Sequence, residues 1–179
     1  MKSVIIIPSR MASTRFPGKP MAKINGIPMI QRVWQQAINS KIGDVYVACS
    51  ENEVFDLISN LGGDAILTDP DLPSGTDRIY SAFLKIENIS DIECIINLQG
   101  DMPLINPEHI KKVINPLKQN FQIGTLATNL TKEEIKNPNV TKVIINWNEK
   151  NLGEAKEFFR KKNVVDHKLY HHVGIYSYT

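Results

Sequence analysis

The chain has 179 residues, 42% hydrophobic and 22% charged. That is a globular composition of ordinary single-domain size, long enough to bury a core and unlike a disordered one. Its 21 basic residues stand against 19 acidic ones, a net charge of +2. This gives no electrostatic footprint for nucleic acid or an anionic membrane surface. No apolar run approaches the ~18 residues a membrane helix needs. The first, Val4–Ile7, follows a lone Lys and has no small-residue cleavage site behind it, so it reads as a strand and not a signal peptide. Cys49 and Cys94 sit in apolar runs without metal-ligand spacing, as reduced core thiols of a cytoplasmic protein would.

In chain order, Val4–Ile7 is a β-branched run ended by Pro8, the pattern of a buried strand. Residues 8–28 carry Pro8, Pro17, Gly18, Pro20, Gly26 and Pro28 and read as a long, restrained loop. Met29, Ile30, Val33, Trp34, Ala37 and Ile38 recur at helical spacing. Val45–Cys49 is the second strand. Ser50-Glu51-Asn52-Glu53 has the form of a capping box, opening a helix with Val54, Leu57, Ile58 and Leu61 on one face. Gly62-Gly63 should end it. Ala65–Leu67 is the third strand. Ser74-Gly75-Thr76-Asp77 is a second box, ahead of Ile79, Ala82, Phe83 and Ile86. Glu93–Leu98 is the fourth strand. Asn106-Pro107-Glu108 starts a helix that stops before Pro116.

The alternation of strand and helix predicts an α/β fold with a mostly parallel sheet and helices on both faces. After residue 120 it breaks down. Ile123–Thr128, Val140–Asn146, Leu152–Phe158 and His172–Tyr178 read as strands without long helices between them, and Trp147–Asn151 as a hairpin turn. The sheet should be extended there by mixed or antiparallel strands. No linker is evident, so a single domain over 1–179 is expected.

Ligands of open α/β sheets sit beyond the carboxyl ends of the strands. Two segments fall there. Residues 8–20 bring Arg10, Arg15 and Lys19 together with Ser9, Ser13 and Thr14 in a proline-restrained loop. Guanidinium forks and an ammonium suit a polyphosphate, although a solvated basic loop would look the same. Neither G-x-x-x-x-G-K-[ST] nor G-x-G-x-x-G is present, which disfavours an NTPase P-loop and a dinucleotide fold. The second segment is Leu98-Gln99-Gly100-Asp101-Met102-Pro103. Asp101, just past a buried strand, is placed to hold Mg²⁺ or to close a local turn. Ser74-Gly75-Thr76-Asp77-Arg78 offers helix amides to an anion, or is an ordinary cap. The pair His171-His172 matches no H-E-x-x-H pattern, and no Ser sits in a nucleophile elbow.

Five ordered segments carry a family resemblance that covers essentially the whole chain. They are Ile6–Pro20, Ser74–Arg78, Asn97–Pro103, Asn137–Val143 and His172–Tyr178. In this order they resemble the motifs of the 3-deoxy-manno-octulosonate cytidylyltransferases, the CMP-Kdo synthetases. The sialic acid cytidylyltransferases share the first loop less closely. The resemblance implies a nucleotidyltransferase, Rossmann-like α/β fold. It implies that CTP and Kdo become CMP-Kdo and pyrophosphate, with Mg²⁺, for lipopolysaccharide biosynthesis.

By the same resemblance, Arg10, Arg15 and Lys19 are catalytic residues that hold the triphosphate, and Asp101 is catalytic as the Mg²⁺ ligand. Ser9, Ser74, Gly75, Arg78 and Gln99 join Arg10 and Lys19 around the nucleotide. Arg160, His172 and Tyr176 fall where the family binds the sugar. Around Arg160 the chain departs from the family: Glu157-Phe158-Phe159-Arg160 stands in place of Tyr-Phe-Ser-Arg, and no Ile-Pro follows. Family members also continue past the position of Thr179. There they carry sugar contacts from Glu and Gln, a homodimer segment, and a second metal carboxylate in a late Asp-Thr-x-Glu-Asp motif. The chain is therefore expected to be C-terminally truncated. The alternatives are an inactive remnant of this enzyme or a cytidylyltransferase of the sialic acid type.

Overall fold

The N-terminal β-branched run forms β1, Ser3–Ser9, in the computed structural model, which describes residues 1–12, 16–161 and 167–179. The strand runs through Pro8 and does not stop there. Its pairing on one side ends at Ile6, so the proline lies where only one neighbour remains. That is an edge position, where a missing N–H costs little. The loop that follows is more ordered than its composition suggests. It contains a 3-10 turn at Lys19–Met21 and a small hairpin of β2, Lys23–Ile24, and β3, Ile27–Pro28. Then come α1, Met29–Ser40; β4, Gly43–Cys49; α2, Asn52–Asn60; β5, Asp64–Leu67; α3, Gly75–Phe83; β6, Cys94–Leu98; and α4, Pro107–Lys112. The later elements are β7, Ile123–Asn129; α5, Lys132–Lys136; β8, Lys142–Glu149; β9, Leu152–Phe159; and β10, Leu169–Tyr178. The short α5 was not anticipated, although its Thr131 and Glu134 form a complete capping box.

The chain divides into two compact units, 1–124 with 175–179 and 125–174. In the first, β5, β4, β1 and β6 lie side by side and parallel, with β1 flanked by β4 and β6. The last four residues of β10 add an antiparallel strand, Ile175 opposite Leu98 and Tyr178 opposite Ile95. Because side chains alternate along a strand, β1 supplies both faces. Val4 and Ile6 pack with Ile79, Ala82 and Ile86, so α3 covers one face. Ile5 and Ile7 point the other way, where α1 and α4 contribute Ile30, Val33, Ala37 and Ile110 to the core. Ile5, Ile6 and Ile7 are each fully buried, worth roughly 1.5–3 kcal/mol apiece. In the second unit β8 and β9 form an antiparallel hairpin with two register shifts, and the first residues of β10 run antiparallel to β8. The hairpin turn is tighter than expected, since strand structure continues through Trp147–Glu149.

The expected box at Ser50–Glu53 does not form. Glu51 caps α2 with an extended backbone and no side-chain cap bond, because the Ser50 hydroxyl donates to the Glu51 carboxylate at 2.8 Å. Close approach also fixes particular glycines. A Cβ on Gly43 would lie 1.8 Å from the Ser3 carbonyl oxygen, and one on Gly63 would lie 2.8 Å from the Trp34 indole. Among the described residues no helix is long and apolar enough to cross a membrane.

Two outcomes follow from this packing. Gly43→Ala forces β1 and β4 apart and should cost about 3 kcal/mol, lowering Tm in calorimetry by roughly 6–12 °C. Cys49 and Cys94 are wholly buried. Burial and then the Glu51 charge push the Cys49 thiol up to about 11, and burial raises Cys94. Both thiols stay protonated and enclosed, so a thiol reagent at pH 8 should label neither in the native chain and both after unfolding.

Candidate active site

The site is built where β1 and β6 end. The turn after β6 is pressed against β1, because a Cβ on Gly100 would stand 2.8 Å from the Pro8 carbonyl oxygen. The N-terminus of α3 reaches the same place. A Cβ built on Gly75 would lie in ordinary contact with the Pro8 ring, at 3.5 Å. Together these segments enclose a pocket of about 220 Å³ in the first unit. Of the residues expected around a nucleotide, Ser9, Arg10, Lys19, Gly75, Arg78, Gln99 and Asp101 all line it. Ser74 does not line it. It caps α3 instead, accepting from the Asp77 amide at 3.2 Å and donating to the Asp77 carboxylate at 2.5 Å. Arg15 lies outside the described residues.

Each pocket residue has a physical reason for its position. Ser9 is 5% exposed, and its hydroxyl has no hydrogen-bond partner among the described residues. A buried hydroxyl left unpaired is costly and open to a ligand. Arg10 is exposed at the exit of β1. The Gly18 amide donates to the Met11 carbonyl at 3.0 Å, and Gly18 adopts a positive φ of 70° that suits glycine. The 3-10 turn starts there. It presents Lys19, whose Nζ donates to Asp101 Oδ2 at 2.5 Å.

Arg78 is 2% exposed. Its guanidinium donates to the Thr68 hydroxyl, to the Asp69 carbonyl at 3.1 Å and to the Pro70 carbonyl at 3.4 Å. It therefore braces the segment after β5 while lining the pocket. Burial pushes this group below its ordinary value, the Glu51 charge holds it up, and Arg10 acts against it. Gln99 donates to the Asn97 side chain at 2.6 Å, and Asn97 is itself buried. Asn97 was overlooked as a supporting residue, although a polar residue inside the apolar run Cys94–Leu98 is a visible signal. Pro8, Pro20 and Gly100 complete the lining.

Asp101 is half exposed and lines the pocket. Among the described residues no three His, Cys, Asp or Glu side chains gather as a metal cluster. A single hard carboxylate still fits Mg²⁺ at a triphosphate site, because that ion takes one or two carboxylates and fills its shell with phosphate oxygens and water.

The three residues expected around a sugar do not line this pocket. In the second unit Arg160 is exposed, and its Nε donates to the Thr141 hydroxyl at 3.4 Å. Its carbonyl accepts from the buried Lys142 at 3.1 Å. His172 bonds the Thr125 hydroxyl through Nε2 at 3.0 Å and meets Phe158 edge-on at 4.8 Å. Burial and then His171 lower its pKa, keeping the imidazole neutral at pH 7. Tyr176, in the first unit, lies opposite Asn97 and stacks with Tyr178 at 6.2 Å.

A cytidylyltransferase family model matches residues 4–179. A 3-deoxy-manno-octulosonate cytidylyltransferase of Paramagnetospirillum magneticum is 43% identical over 98% of this chain and 73% of its own length. One from Parvibaculum lavamentivorans is 43% identical over 98% of this chain and 69% of its own. Among solved structures, a CMP:2-keto-3-deoxy-manno-octonic acid synthetase complexed with CTP superposes with a TM-score of 0.86 at 34% identity. That match covers 99% of this chain and 74% of the other. The 4-diphosphocytidyl-2C-methyl-D-erythritol synthase of Anaerococcus prevotii shares the fold at TM-score 0.61 and 11% identity. With the match running from the first strand to the last, the chain belongs to the cytidylyltransferase family, among the 3-deoxy-manno-octulosonate cytidylyltransferases.

Proposed function

We propose that this chain transfers the cytidylyl group of CTP to 3-deoxy-D-manno-octulosonate, giving CMP-Kdo and pyrophosphate. The observation that carries the reading is the convergence of Arg10, Lys19 and Asp101 with the orphaned Ser9 hydroxyl in one pocket. The likeness to a CTP-bound synthetase supports it. The sugar's anomeric hydroxyl attacks the α-phosphorus, and a new O–P bond forms there. The bond from the α-phosphorus to the bridging oxygen breaks, pyrophosphate leaves with that electron pair, and the hydroxyl proton passes to solvent.

The charges of the pocket suit this step. Arg10 offers a planar fork to phosphate oxygens and Lys19 a point charge, both placed before charge develops on the leaving group. Lys19 exchanges its bond to Asp101 for phosphate oxygens when the triphosphate enters. Asp101 would hold Mg²⁺, which when bound would neutralise phosphate charge and withdraw electrons from the α-phosphorus. Ser9, Gly75 and Gln99 present their hydroxyl, amide and carboxamide groups to the nucleoside. Arg78 fixes the wall behind them, with Ser74 holding the start of α3. Arg15 joins the triphosphate contacts on the resemblance alone. The same holds for Arg160, His172 and Tyr176 as sugar contacts, with Arg160 suited to the carboxylate. Single-domain action over 1–179, a homodimer and a cytoplasmic setting, where CTP is found, belong to the same reading.

The test is Mg²⁺-dependent pyrophosphate release from CTP. It should be seen with Kdo, and neither with sialic acid nor without sugar. Release with sialic acid would overturn the sugar assignment, and a folded chain that releases none would overturn the activity. Lys19→Ala should lower kcat about 100- to 1000-fold while leaving Tm nearly unchanged. Asp101→Asn should raise the Mg²⁺ concentration for half-maximal rate, measured by titration at fixed CTP.

A further inference from the structure

Glu51 belongs to none of the segments that line the pocket, yet its carboxylate is turned toward the pocket's first loop. It sits between the end of β4 and the start of α2, where a capping role would aim it at the helix amides. Instead Oε1 accepts from the Met11 amide, 40 residues away, at 3.1 Å, and from the Ser50 hydroxyl at 2.8 Å. Oε2 is buried and has no hydrogen-bond partner among the described residues. A carboxylate oxygen held this way is unfavourable unless positive charge stands near it. That charge is present: of the charges that favour the cationic form of the buried Arg78, Glu51 acts most strongly.

Met11 is the residue on which the loop turns. Its amide is held by Glu51, and its carbonyl accepts from Gly18 at 3.0 Å. Gly18 starts the 3-10 turn that presents Lys19. Arg10 directly precedes Met11 in the chain. One carboxylate thus fixes the peptide from which both described cations of the loop are placed.

We propose that Glu51 is a positioning residue for the nucleotide site, holding the Met11 peptide so that Arg10 and Lys19 face the triphosphate before it binds. The proposal rests on the nucleotide reading of the pocket. It adds a residue that touches neither CTP nor the reacting atoms and acts through Met11. Pre-arranged cations give up less freedom on binding, so affinity gained this way appears in the dissociation constant for CTP.

The experiment compares Glu51→Ala, Glu51→Gln and Lys19→Ala with the unaltered chain. Amide exchange at Met11 is followed by NMR in the nucleotide-free protein, and CTP affinity by calorimetry well below Tm. Glu51→Ala should speed Met11 exchange at least tenfold and weaken CTP about tenfold or more. Glu51→Gln keeps an acceptor oxygen for the Met11 amide. It should restore most of the protection and part of the affinity, and it serves as the test if the alanine variant does not fold. Normal Met11 protection or normal CTP affinity in Glu51→Ala, with CTP weakened in Lys19→Ala, overturns the positioning role alone. Normal CTP affinity in Lys19→Ala overturns the nucleotide site itself, and the positioning role with it.

Discussion

Parallel pairing of β1 with β4 on one side and β6 on the other sends three chain exits to the same edge of one sheet. The first exit carries Ser9 and Arg10, the second Glu51, and the third Gln99, Gly100 and Asp101. They are far apart in sequence and would have no reason to meet otherwise. The distance between the first and third is set by Gly100, where any side chain would run into the Pro8 carbonyl. The site therefore inherits its spacing from backbone contact, and its side chains act within limits the sheet has already drawn.

Two cations at this edge are held with very different firmness. Arg78 is buried and bonded to a hydroxyl and two carbonyls, so stripping its partners would leave an unpaired charge inside the protein, about 3–5 kcal/mol. Lys19 is paired with Asp101 at a partly exposed position, where such bridges are worth about 0–1 kcal/mol. The first serves as framework. The second is cheap to exchange, which suits a group that in the proposed reaction must pass from a carboxylate to phosphate oxygens and back.

Much of this was legible in the sequence, for identifiable reasons. Val4–Ile7, Val45–Cys49 and Glu93–Leu98 are apolar runs too short for anything but buried strands, and the helices between them carry clear spacing. The pocket residues were legible because they cluster just after two of those strands. What was hidden depends on side-chain choices with several local solutions. Ser50 has the side chain of a cap but spends its hydroxyl on Glu51. Pro8 has the chemistry of a strand stop but is tolerated because β6 leaves β1 at Ile6. Glu51 looks in sequence like part of a helix start, since nothing in a linear sequence links it to an amide 40 residues earlier. The loss of strand–helix alternation after residue 120 was legible, but not the bounds 125 and 174, because no proline- or glycine-rich linker marks either.

The first unit is discontinuous: its open side along β6 is closed by Ile175–Tyr178, at the far end of the chain. On the ribosome, β6 therefore emerges long before the strand that covers it. The residues 99–174 between β6 and that strand take roughly 4–15 s to synthesise at about 5–20 residues per second. During that interval Ile95–Leu98 present unpaired backbone groups and apolar side chains beside an otherwise assembled sheet. The nascent protein thus has a defined period of exposure, and a holdase or a slowed codon run would act on this one edge.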